Sequence, residues 1–310
     1  MKIQKSIDYK ILQDSVVTIG TFDGVHVGHQ KIIKKLVKIA KKKNLQAVVL
    51  TFFPHPRMVL QKDANIKLIN SIDEKYNLLE ERGVDHLVVK EFTHEFSRLT
   101  AQEFVSKILI NKLKTKHIII GYDHHFGRNR TANINDLKAF GKIYDFKVTE
   151  ISAKEIDEVA VSSTKIRQAL KEGNVALANS FLGYNFMLTG KVVKGKGLGK
   201  TLECPTANLE IKESYKLIPK TGSYVVQTTF ENQTVYGMMN IGVNPTVNGK
   251  QQSVEMHLFD FSKDIYGKSF TIQLLDRLRD EIKFNSLEEL KMQLKKDQAT
   301  SKALIKQLKS

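Results

Sequence analysis

The chain has 310 residues, enough for about two domains, and its 41% hydrophobic and 26% charged residues are typical of a globular protein. No apolar run approaches the ~18 residues that a membrane span needs, and the first residues lack the apolar stretch of a secretory signal. A single cysteine excludes an intramolecular disulfide. We therefore expect a cytoplasmic protein without a membrane partner.

The net charge of +16 raises the question of a nucleic-acid partner. Only eight of the 49 basic residues are arginines, the residue that reads bases and clamps phosphates with paired hydrogen bonds. The lysines are scattered along the chain, and Lys41–Lys43 close an amphipathic helix, where cations suit the helix dipole. We expect small anionic ligands such as nucleotides, no nucleic acid, and no obligatory protein partner.

The first half alternates short apolar strands with helices. Apolar runs predict strands at 16–20, 47–53, 86–92 and 117–121. Helical spacing from Gly28 to Lys43, and capping boxes that begin at Ser71 and Thr100, predict the helices between them. Continuous apolar strands separated by helices indicate a Rossmann-like parallel sheet that is covered on both faces.

The second half changes rhythm after about residue 185. Strand-like segments now follow one another, beginning with FMLTGKVV and ending with FTIQLLDRL, and glycines and asparagines separate them. Only the end of the chain, which Ser286 and Glu289 cap, has a clear helical pattern. We predict a small closed antiparallel β-barrel with a terminal helix, and we divide the chain into domains 1–184 and 185–310.

The segment GTFDGVHVGHQ follows the first predicted strand and opens the first helix. In an open parallel sheet, ligands bind outside the carboxyl ends of the strands. Glycines there let backbone N–H groups approach a phosphate, and a helix start favours anions. His26 and His29 are three residues apart and can donate hydrogen bonds to the same phosphate group. The pattern therefore predicts phosphoryl or nucleotidyl transfer, which needs positioning and charge more than a protein nucleophile.

The residues HVGH match the H-x-G-H motif of the nucleotidyltransferase superfamily, and TFDGVHVGHQ resembles the bacterial bifunctional riboflavin kinase/FAD synthetase family. TFFPHP, GYDHHFGRNR and VSSTKIR match further segments of that family in order. The resemblance implies an FMN adenylyltransferase domain in which His26 and His29 are catalytic. It also implies these ATP-binding residues: Gly20, Phe22, Asp23, Gly24, His26, Gly28, His29, Asp123, Ser163, Thr164 and Arg167.

His124 and His125 stand where the family often has Phe and Arg. Additional histidines leave open a metal site with His26 and His29, but a zinc site normally includes a carboxylate or cysteine at defined spacing. We favour phosphate binding for the two histidines of the first motif.

The segment GKGLGKTLECPTANL does not fit a P-loop, because position 194 is lysine and an all-β region follows. It resembles the riboflavin kinase part of the same family, whose glycine loop leads into P-T-A-N, although Glu203 and Cys204 depart from the usual pattern. The resemblance implies that Thr206 and Asn208 hold Mg²⁺, since both offer hard oxygen ligands. The ATP-binding residues that it implies are Gly195, Gly197, Gly199, Lys200, Thr206 and Asn208. Without the resemblance, the P-T-A-N residues fit a turn equally well.

SVEMHLFDFSKDIYGK and LRDEIKF match further kinase segments. In a strand, Val254 and Met256 face one way and Glu255 the other, so that Glu255 can face a cleft and take the proton of a ribityl hydroxyl as a catalytic base. A solvent-facing glutamate is the alternative. The resemblance further implies that Arg279 and Phe284 bind the flavin.

The combined motifs predict a bifunctional enzyme that phosphorylates riboflavin to FMN and adenylylates FMN to FAD, with ATP and Mg²⁺ and with release of pyrophosphate. Two alternatives stay open: an enzyme that retains one of these activities, and a regulator that binds flavin or nucleic acid.

Overall fold

The structure is a computed structural model that describes residues 1–4, 9–61, 65–122, 124–152, 161–194, 204–246 and 249–309. It contains two compact units, Met1–Ser163 and Thr164–Ser310. The predicted division at 184/185 assigns residues 164–184 to the first domain, whereas their contacts assign them to the second unit. The functional boundary therefore stays a prediction.

The first unit is built on a six-stranded parallel sheet, as predicted. Its strands are β1 Lys2–Gln4, β2 Ser15–Ile19, β3 Gln46–Phe53, β4 His86–Glu91, β5 Thr115–Gly121 and β6 Lys147–Ile151. Their spatial order is β1-β4-β3-β2-β5-β6. The four predicted strands form the buried centre, because both of their faces are apolar. The two edge strands were missed: β1 is very short, and only the last residue of β6 is fully buried.

The helices of this unit lie where capping residues begin them. They are α1 Val27–Lys43, α2 Pro56–Leu60, α3 Ile72–Glu80, α4 His94–Ser97, α5 Ala101–Glu103 and α6 Ile134–Tyr144, and α5 continues as a π-helix over Phe104–Ile110. Ser71 and Thr100 both form the predicted capping boxes. The buried side of α1 contains Ile32, Ile33 and Leu36, so that the lysines of this helix occupy its outer side.

Helix α7, Ser163–Glu172, starts at the last residue of the first unit, and all its other residues belong to the second unit. That unit continues with α8 Val175–Leu182 and the barrel. The barrel strands are β7 Met187–Val193, β8 Ala207–Glu210, β9 Gly222–Phe230, β10 Gln233–Thr246, β11 Gly249–Leu258 and β12 Ser269–Arg279. They close in the order β10-β11-β8-β7-β12-β9, with antiparallel pairs throughout. The terminal helix α9, Leu287–Lys309, is longer than its predicted segment.

Side chains alternate along each barrel strand between the interior and the outer face. Tyr224, Met239 and Met256 are cross-strand partners on buried positions and fill the interior. Part of the outer face is covered as well, because Ile305 of α9 packs in a cluster with Val225 and other apolar residues. Strands β8, β10 and β11 carry polar side chains on their outer face. The kinase residues described below lie on this face.

Candidate functional site

The loop between β2 and α1 has a backbone that is unusual for its residue types. Phe22 (φ 46°), Gly24 (φ 88°) and Val25 (φ 38°) all lie in the left-handed region, which costs a non-glycine residue on the order of 1 kcal/mol. Phe22 and Val25 are nonetheless fully buried, and a hydrogen bond from Val25 N to Phe22 O closes the turn. A Cβ on Gly20 would lie 3.1 Å from the Phe22 ring. The loop is therefore held in a strained conformation at the carboxyl end of a central strand, where ligands bind in such sheets.

The predicted histidine pair stands at the first turn of α1. His26 is the N-cap residue, and its Nδ1 accepts a hydrogen bond from His29 N at 3.5 Å. The two imidazole rings stack with their centroids 3.6 Å apart, and the Phe22 ring meets the edge of His29. Because Nδ1 of His26 accepts, its Nε2 carries the proton in the neutral tautomer and can donate.

Burial determines the charge of this pair. Burial lowers the pKa of His26 to about 4, and the nearby Asp23 carboxylate offsets only part of that effect. The pKa of His29 is lowered well below its ordinary value, first by burial and then by the charges of His26 and Lys75. Both rings are therefore neutral at pH 7, and each offers one N–H donor at a helix N-terminus, where anions bind. His29 Nδ1 is buried without a hydrogen-bond partner among the described residues.

Asp23 connects this loop to two other segments. Its buried carboxylate accepts a hydrogen bond from Ile69 N at 2.9 Å, and its carbonyl oxygen accepts one from Ser163 Oγ at 2.8 Å. Two predicted residues, Asp23 and Ser163, are thus brought together by a direct contact. The Asp23 carboxylate is buried and orients the loop through its hydrogen bond with Ile69 N, rather than extending into solvent.

The site contains a residue that sequence reasoning missed. Lys75 of α3 is buried, and its ammonium donates to the Thr21 carbonyl oxygen at 2.7 Å. Thr51 Oγ1 donates to the same carbonyl at 3.1 Å. The signal was available in the helical spacing, since Lys75 stands between Ile72 and Leu79 on the buried side of α3, where an apolar residue is expected.

Three further residues were predicted for the first site, namely Asp123, Thr164 and Arg167. Thr164 is exposed and Arg167 half-buried on α7, in the second unit, and Asp123 lies outside the described residues. His124 stacks on Phe126 at a centroid distance of 6.1 Å. In the described part of the chain, no group of three or more His, Cys, Asp or Glu side chains could hold a metal ion.

The barrel places the predicted kinase residues side by side. Glu255 of β11 is the direct cross-strand partner of Asn208 of β8 on one side and of Asn240 of β10 on the other. Such partners have Cβ atoms about 4.5–5.5 Å apart. All three side chains are half-buried, whereas Val254 and Met256 next to Glu255 are buried in the core. Glu255 therefore faces away from the barrel core, as the alternation of side chains predicted, while its position in a cleft stays a prediction. Asn240 is an additional polar neighbour that the sequence did not predict.

The P-T-A-N segment enters β8 rather than forming an isolated turn. Its first residue is anchored by His257, whose Nδ1 lies 2.8 Å from the Pro205 carbonyl oxygen. Thr206 follows, half-buried, and Asn208 lies within the strand. Cys204 is buried against Val225 and other apolar residues, and burial raises the pKa of its thiol to about 11. The predicted ATP-binding residues Gly195, Gly197, Gly199 and Lys200, and also Glu203, lie outside the described residues.

The two residues predicted near the flavin have different surroundings. The Arg279 guanidinium binds Asp297 through Nε at 3.1 and 3.0 Å and through one terminal nitrogen at 2.7 Å, which joins β12 to α9. Phe284 lines an open depression of about 340 Å³ together with Ile282, Met292 and four polar or charged residues. Phe284 is thus half-buried at an open depression, while Arg279 is engaged in a partly buried ion pair.

The oxygen donors of the barrel site fit a hard divalent cation. Thr206 offers a hydroxyl, Asn208 an amide oxygen and Glu255 a carboxylate, which are the ligand types that Mg²⁺ prefers. Neutral imidazole donors at a helix N-terminus in one unit, and hard oxygen donors on the face of a barrel in the other, define a two-domain transferase that acts on phosphorylated substrates.

Comparison with known proteins identifies the family. The FAD synthetase family model matches residues 8–165, and the riboflavin kinase model matches residues 182–305. The bifunctional riboflavin kinase/FMN adenylyltransferases of Buchnera aphidicola subsp. Schizaphis graminum and Escherichia coli K12 are 38% and 37% identical to this chain. The alignments cover 93% of this chain in both cases, and 93% and 91% of the relatives. The chain therefore belongs to the family of bifunctional riboflavin kinase/FMN adenylyltransferases.

A solved structure agrees over nearly the whole chain. It was described as a macrolide-efflux protein from Streptococcus pneumoniae, is 35% identical, covers 95% of this chain and 96% of its own, and superposes with a TM-score of 0.86. None of the described helices is long and apolar enough to cross a bilayer. The sequence prediction of an enzyme with a kinase and a nucleotidyltransferase domain is thus confirmed, and these families use ATP with a divalent metal ion.

Proposed function

We propose that this chain makes FMN from riboflavin in its barrel and FAD from FMN in its parallel-sheet domain, with ATP and Mg²⁺ in both steps. The groups that we assign to adenylyl transfer lie within residues 1–184, and those that we assign to phosphorylation lie within residues 185–310. The observation that carries the proposal is that predicted chemical groups are neighbours in each unit: His26 stacks on His29 in one, and Glu255 is the cross-strand partner of Asn208 in the other.

In the adenylyl step, a phosphate oxygen of FMN attacks the α-phosphorus of ATP. The bond from that phosphorus to the bridging oxygen breaks, and pyrophosphate leaves with its electrons. His26 and His29 donate N–H hydrogen bonds to the phosphate oxygens, where negative charge builds during the reaction. They can do so at neutral pH because burial keeps both rings uncharged, each with one proton to share. The N-terminus of α1 adds its partial positive charge at the same place.

Ser163 supports the same site from another direction. Its hydroxyl is bonded to the Asp23 carbonyl, which fixes the beginning of the S-S-T-x-I-R motif against the loop. Thr164 and Arg167 follow on α7, and we propose that they bind the triphosphate of ATP when this site is occupied. An Arg fork and hydroxyl groups suit a leaving pyrophosphate.

In the kinase step, the ribityl hydroxyl of riboflavin attacks the γ-phosphorus of ATP. Glu255 takes the proton of that hydroxyl, the bond to the bridging oxygen breaks, and ADP leaves. General-base assistance of this kind is usually worth about 10²–10⁴ in rate. Thr206 and Asn208 would hold Mg²⁺, which supplies neutralising charge to the ATP phosphates when bound. Phe284 would contact the flavin in its open depression, and Arg279 would hold the wall of that depression through Asp297.

Chromatography of the flavins tests the proposal directly. The purified chain is incubated with riboflavin, ATP and MgCl₂, and separately with FMN, ATP and MgCl₂. We expect FMN and FAD in the first mixture, FAD with pyrophosphate in the second, and neither product when EDTA replaces the metal. FMN alone would show that only the kinase is retained, and no product in either mixture would refute the proposal. Since the reactions consume ATP, we place the enzyme in the cytoplasm.

A further inference from the structure

Lys75 is a cation at a core position of the first unit. Helix α3 begins with the capping box of Ser71 and Glu74, and its buried side continues through Ile72, Lys75 and Leu79. Lys75 is only 3% exposed. An apolar residue would fit this position at no electrostatic cost, whereas burying an ammonium is unfavourable unless it has good partners. The position therefore calls for a role that requires a cation.

The contacts of the ammonium give that reason. Lys75 has three N–H donors, and among the described residues one neutral acceptor, the Thr21 carbonyl, takes a hydrogen bond from it. The Asp23 carboxylate favours the charged form from a distance, but burial dominates and lowers the pKa of Lys75 to about 8. The lysine therefore keeps its charge near neutral pH. That charge lies directly beneath the loop that precedes His26, close enough to His29 to lower the pKa of its ring.

Thr21 is the residue at which the strained loop begins. Thr51 and Lys75 both donate to its carbonyl, and the next four residues include three in the left-handed backbone region. A loop with several positive φ values persists only when the surrounding structure fixes it. Fixing the Thr21 carbonyl sets where the loop starts, and the helix start at His26 sets where it ends.

We propose that Lys75 is a positioning residue for adenylyl transfer, whose ammonium fixes the Thr21 carbonyl and thereby holds the loop and the histidine pair in the arrangement that receives the triphosphate. This inference rests on the proposed function, because it assumes that adenylyl transfer takes place at His26 and His29. Lys75 acts through the loop rather than by touching the nucleotide, as its burial beneath Thr21 requires.

Substitution of Lys75 separates this role from a structural one. Lys75→Met keeps the length and apolar stem but removes the charge, and Lys75→Arg keeps the charge. The matched control is Lys34→Met, which removes an exposed lysine of α1 in the same unit. For each full-length variant, kcat and the ATP KM are measured for FAD formation from supplied FMN. The rate of FMN formation from riboflavin and the melting temperature are measured on the same preparations.

We expect Lys75→Met to lower kcat for FAD formation by about 10²-fold, the usual cost of a misplacement of about 1 Å in a reacting site. The ATP KM and FMN formation should change little. The melting temperature should stay the same or rise, because a poorly compensated buried charge is gone. Lys75→Arg should recover most of the lost kcat, and Lys34→Met should behave as the unmodified chain.

The outcomes that overturn the inference differ from those that overturn the proposed function. FAD formation at the normal rate in Lys75→Met would refute the role of Lys75. So would a loss that Lys75→Arg does not recover and that accompanies a lower melting temperature, because Lys75 would then be a structural residue. If the unmodified chain makes no FAD, or if His29→Ala makes FAD normally, the proposed function of the first site fails instead.

Discussion

Both activities of the family transfer a phosphorus group from ATP, and the sites that we propose for them in the two units are of opposite kinds. In the first unit the groups are buried: His26 is 4% and Asp23 1% exposed, and the loop that carries them is strained. In the barrel, Glu255 and Asn208 are half-buried side chains on regular strands, placed by cross-strand register alone. One site depends on desolvation and a fixed loop, and the other on the geometry of a sheet.

This difference has a consequence for mutational sensitivity. When one side chain of a buried site is changed, the displacement spreads to its neighbours, because packed interiors are nearly incompressible and transmit strain. A site on the outer face of a barrel can lose one functional group while its strands keep their register. Substitutions in the first unit should therefore alter structure and activity together more often than substitutions on the barrel face.

The largest expected effect concerns the boundary between the units. Residues 164–310 should fold and make FMN, whereas residues 185–310 should not fold stably. The shorter fragment lacks α7 and α8, where Asn179 bonds both Phe186 N at 2.7 Å and the Leu274 carbonyl at 2.9 Å, and Leu170 accepts from Lys220 N. The shorter fragment also lacks the buried apolar side chains of these helices, each of which contributes about 1.5–3 kcal/mol to the free energy of unfolding. The total free energy of unfolding of a domain is only about 5–15 kcal/mol.

The two fragments are compared by circular dichroism during heating and by FMN formation from riboflavin and ATP. A cooperative transition and normal FMN formation in the 185–310 fragment would show that α7 and α8 are dispensable. That result would place the functional boundary at 184/185, where the sequence predicts it.

The next largest effect is expected at the barrel face. Glu255→Gln keeps the size of the side chain but removes the basic carboxylate, so FMN formation should fall by about 10²–10⁴-fold. FAD formation from supplied FMN should be unchanged, and so should the melting temperature, because the residue is half-buried on a regular strand. Glu210→Gln, at an exposed position two residues beyond Asn208, is the matched control. Normal FMN formation would make Glu255 a solvent-facing residue without a chemical role.

A slightly smaller effect is expected in the buried site. His29→Ala removes one preorganised donor, which typically costs about 10²–10³ in rate, and FAD formation should fall by that factor. FMN formation from riboflavin should persist. His94→Ala, which removes an exposed histidine of the same unit, should have no effect on either activity. Equal loss of both activities in His29→Ala would mean that the ring supports the fold rather than the reaction.

The sequence predicted the frame of both units because their signals are periodic. Buried parallel strands read as continuous apolar runs, and the β11 residues alternate as a strand with one core face should. Edge strand β6 was missed because three of its five residues are polar and only the last one is fully buried. The π-helical continuation of α5 was predicted as ordinary helix, because the four-residue spacing of its buried Val105 and Leu109 also fits an α-helix.

The sites were predictable only in part, for a related reason. A motif identifies residues that are close in the chain, such as His26 and His29, and register brings Asn208 to Glu255 once both strands are recognised. Lys75 is distant from the loop in sequence, and its contact with Thr21 depends on how α3 packs. A lysine at a core position of a helix is a usable signal, although it does not name its partner.

Acid should distinguish the two units. Burial lowers the pKa of His26 to about 4 and that of His117 also to about 4, both in the first unit. Below pH 6.5 the histidines of the unfolded chain bind protons, whereas those of the folded unit stay neutral. The contribution of these histidines to the free energy of unfolding is therefore fully present above pH 6.5 and is lost as the pH falls towards 4. For His26 alone the loss is at most about 3 kcal/mol. In the barrel unit, hydrogen bonds from Lys220 and Arg277 lower the pKa of Asp280 to about 2. The stability that Asp280 contributes is therefore lost only below about pH 4.

Hydrogen exchange followed by peptide mass spectrometry measures both units in the full chain. After correction for the intrinsic exchange rate, protection of β2 and β3 should fall between pH 6.5 and 4.5, while protection of β9 and β10 should fall less. His117→Gln should reduce the fall in the first unit. An equal fall in both units would contradict the assignment of acid sensitivity to the buried histidines.

The smallest effect contrasts two helix caps. Ser71 Oγ accepts from Glu74 N at 3.1 Å, and Ser286 Oγ accepts from Glu289 N at the same distance. Ser71 is 6% and Glu74 2% exposed, whereas Ser286 and Glu289 are exposed to solvent. Loss of a serine N-cap costs about 0.5–2 kcal/mol. Where the cap is buried, water cannot replace the missing acceptor, and the freed N–H bears its full desolvation cost.

We therefore expect Ser71→Ala to destabilise the first unit by about 2 kcal/mol and Ser286→Ala to destabilise the barrel unit by about 0.5 kcal/mol. Exchange protection of α3 and α9 peptides reports the two changes in the same experiment, and each variant serves as the control for the other unit. Because α3 carries Lys75, Ser71→Ala should also slow FAD formation somewhat, while Ser286→Ala should leave it unchanged. An equal loss of stability in the two variants would show that burial does not distinguish these helix starts. The contrast between a desolvated and a solvent-facing unit would then apply only to the reacting groups.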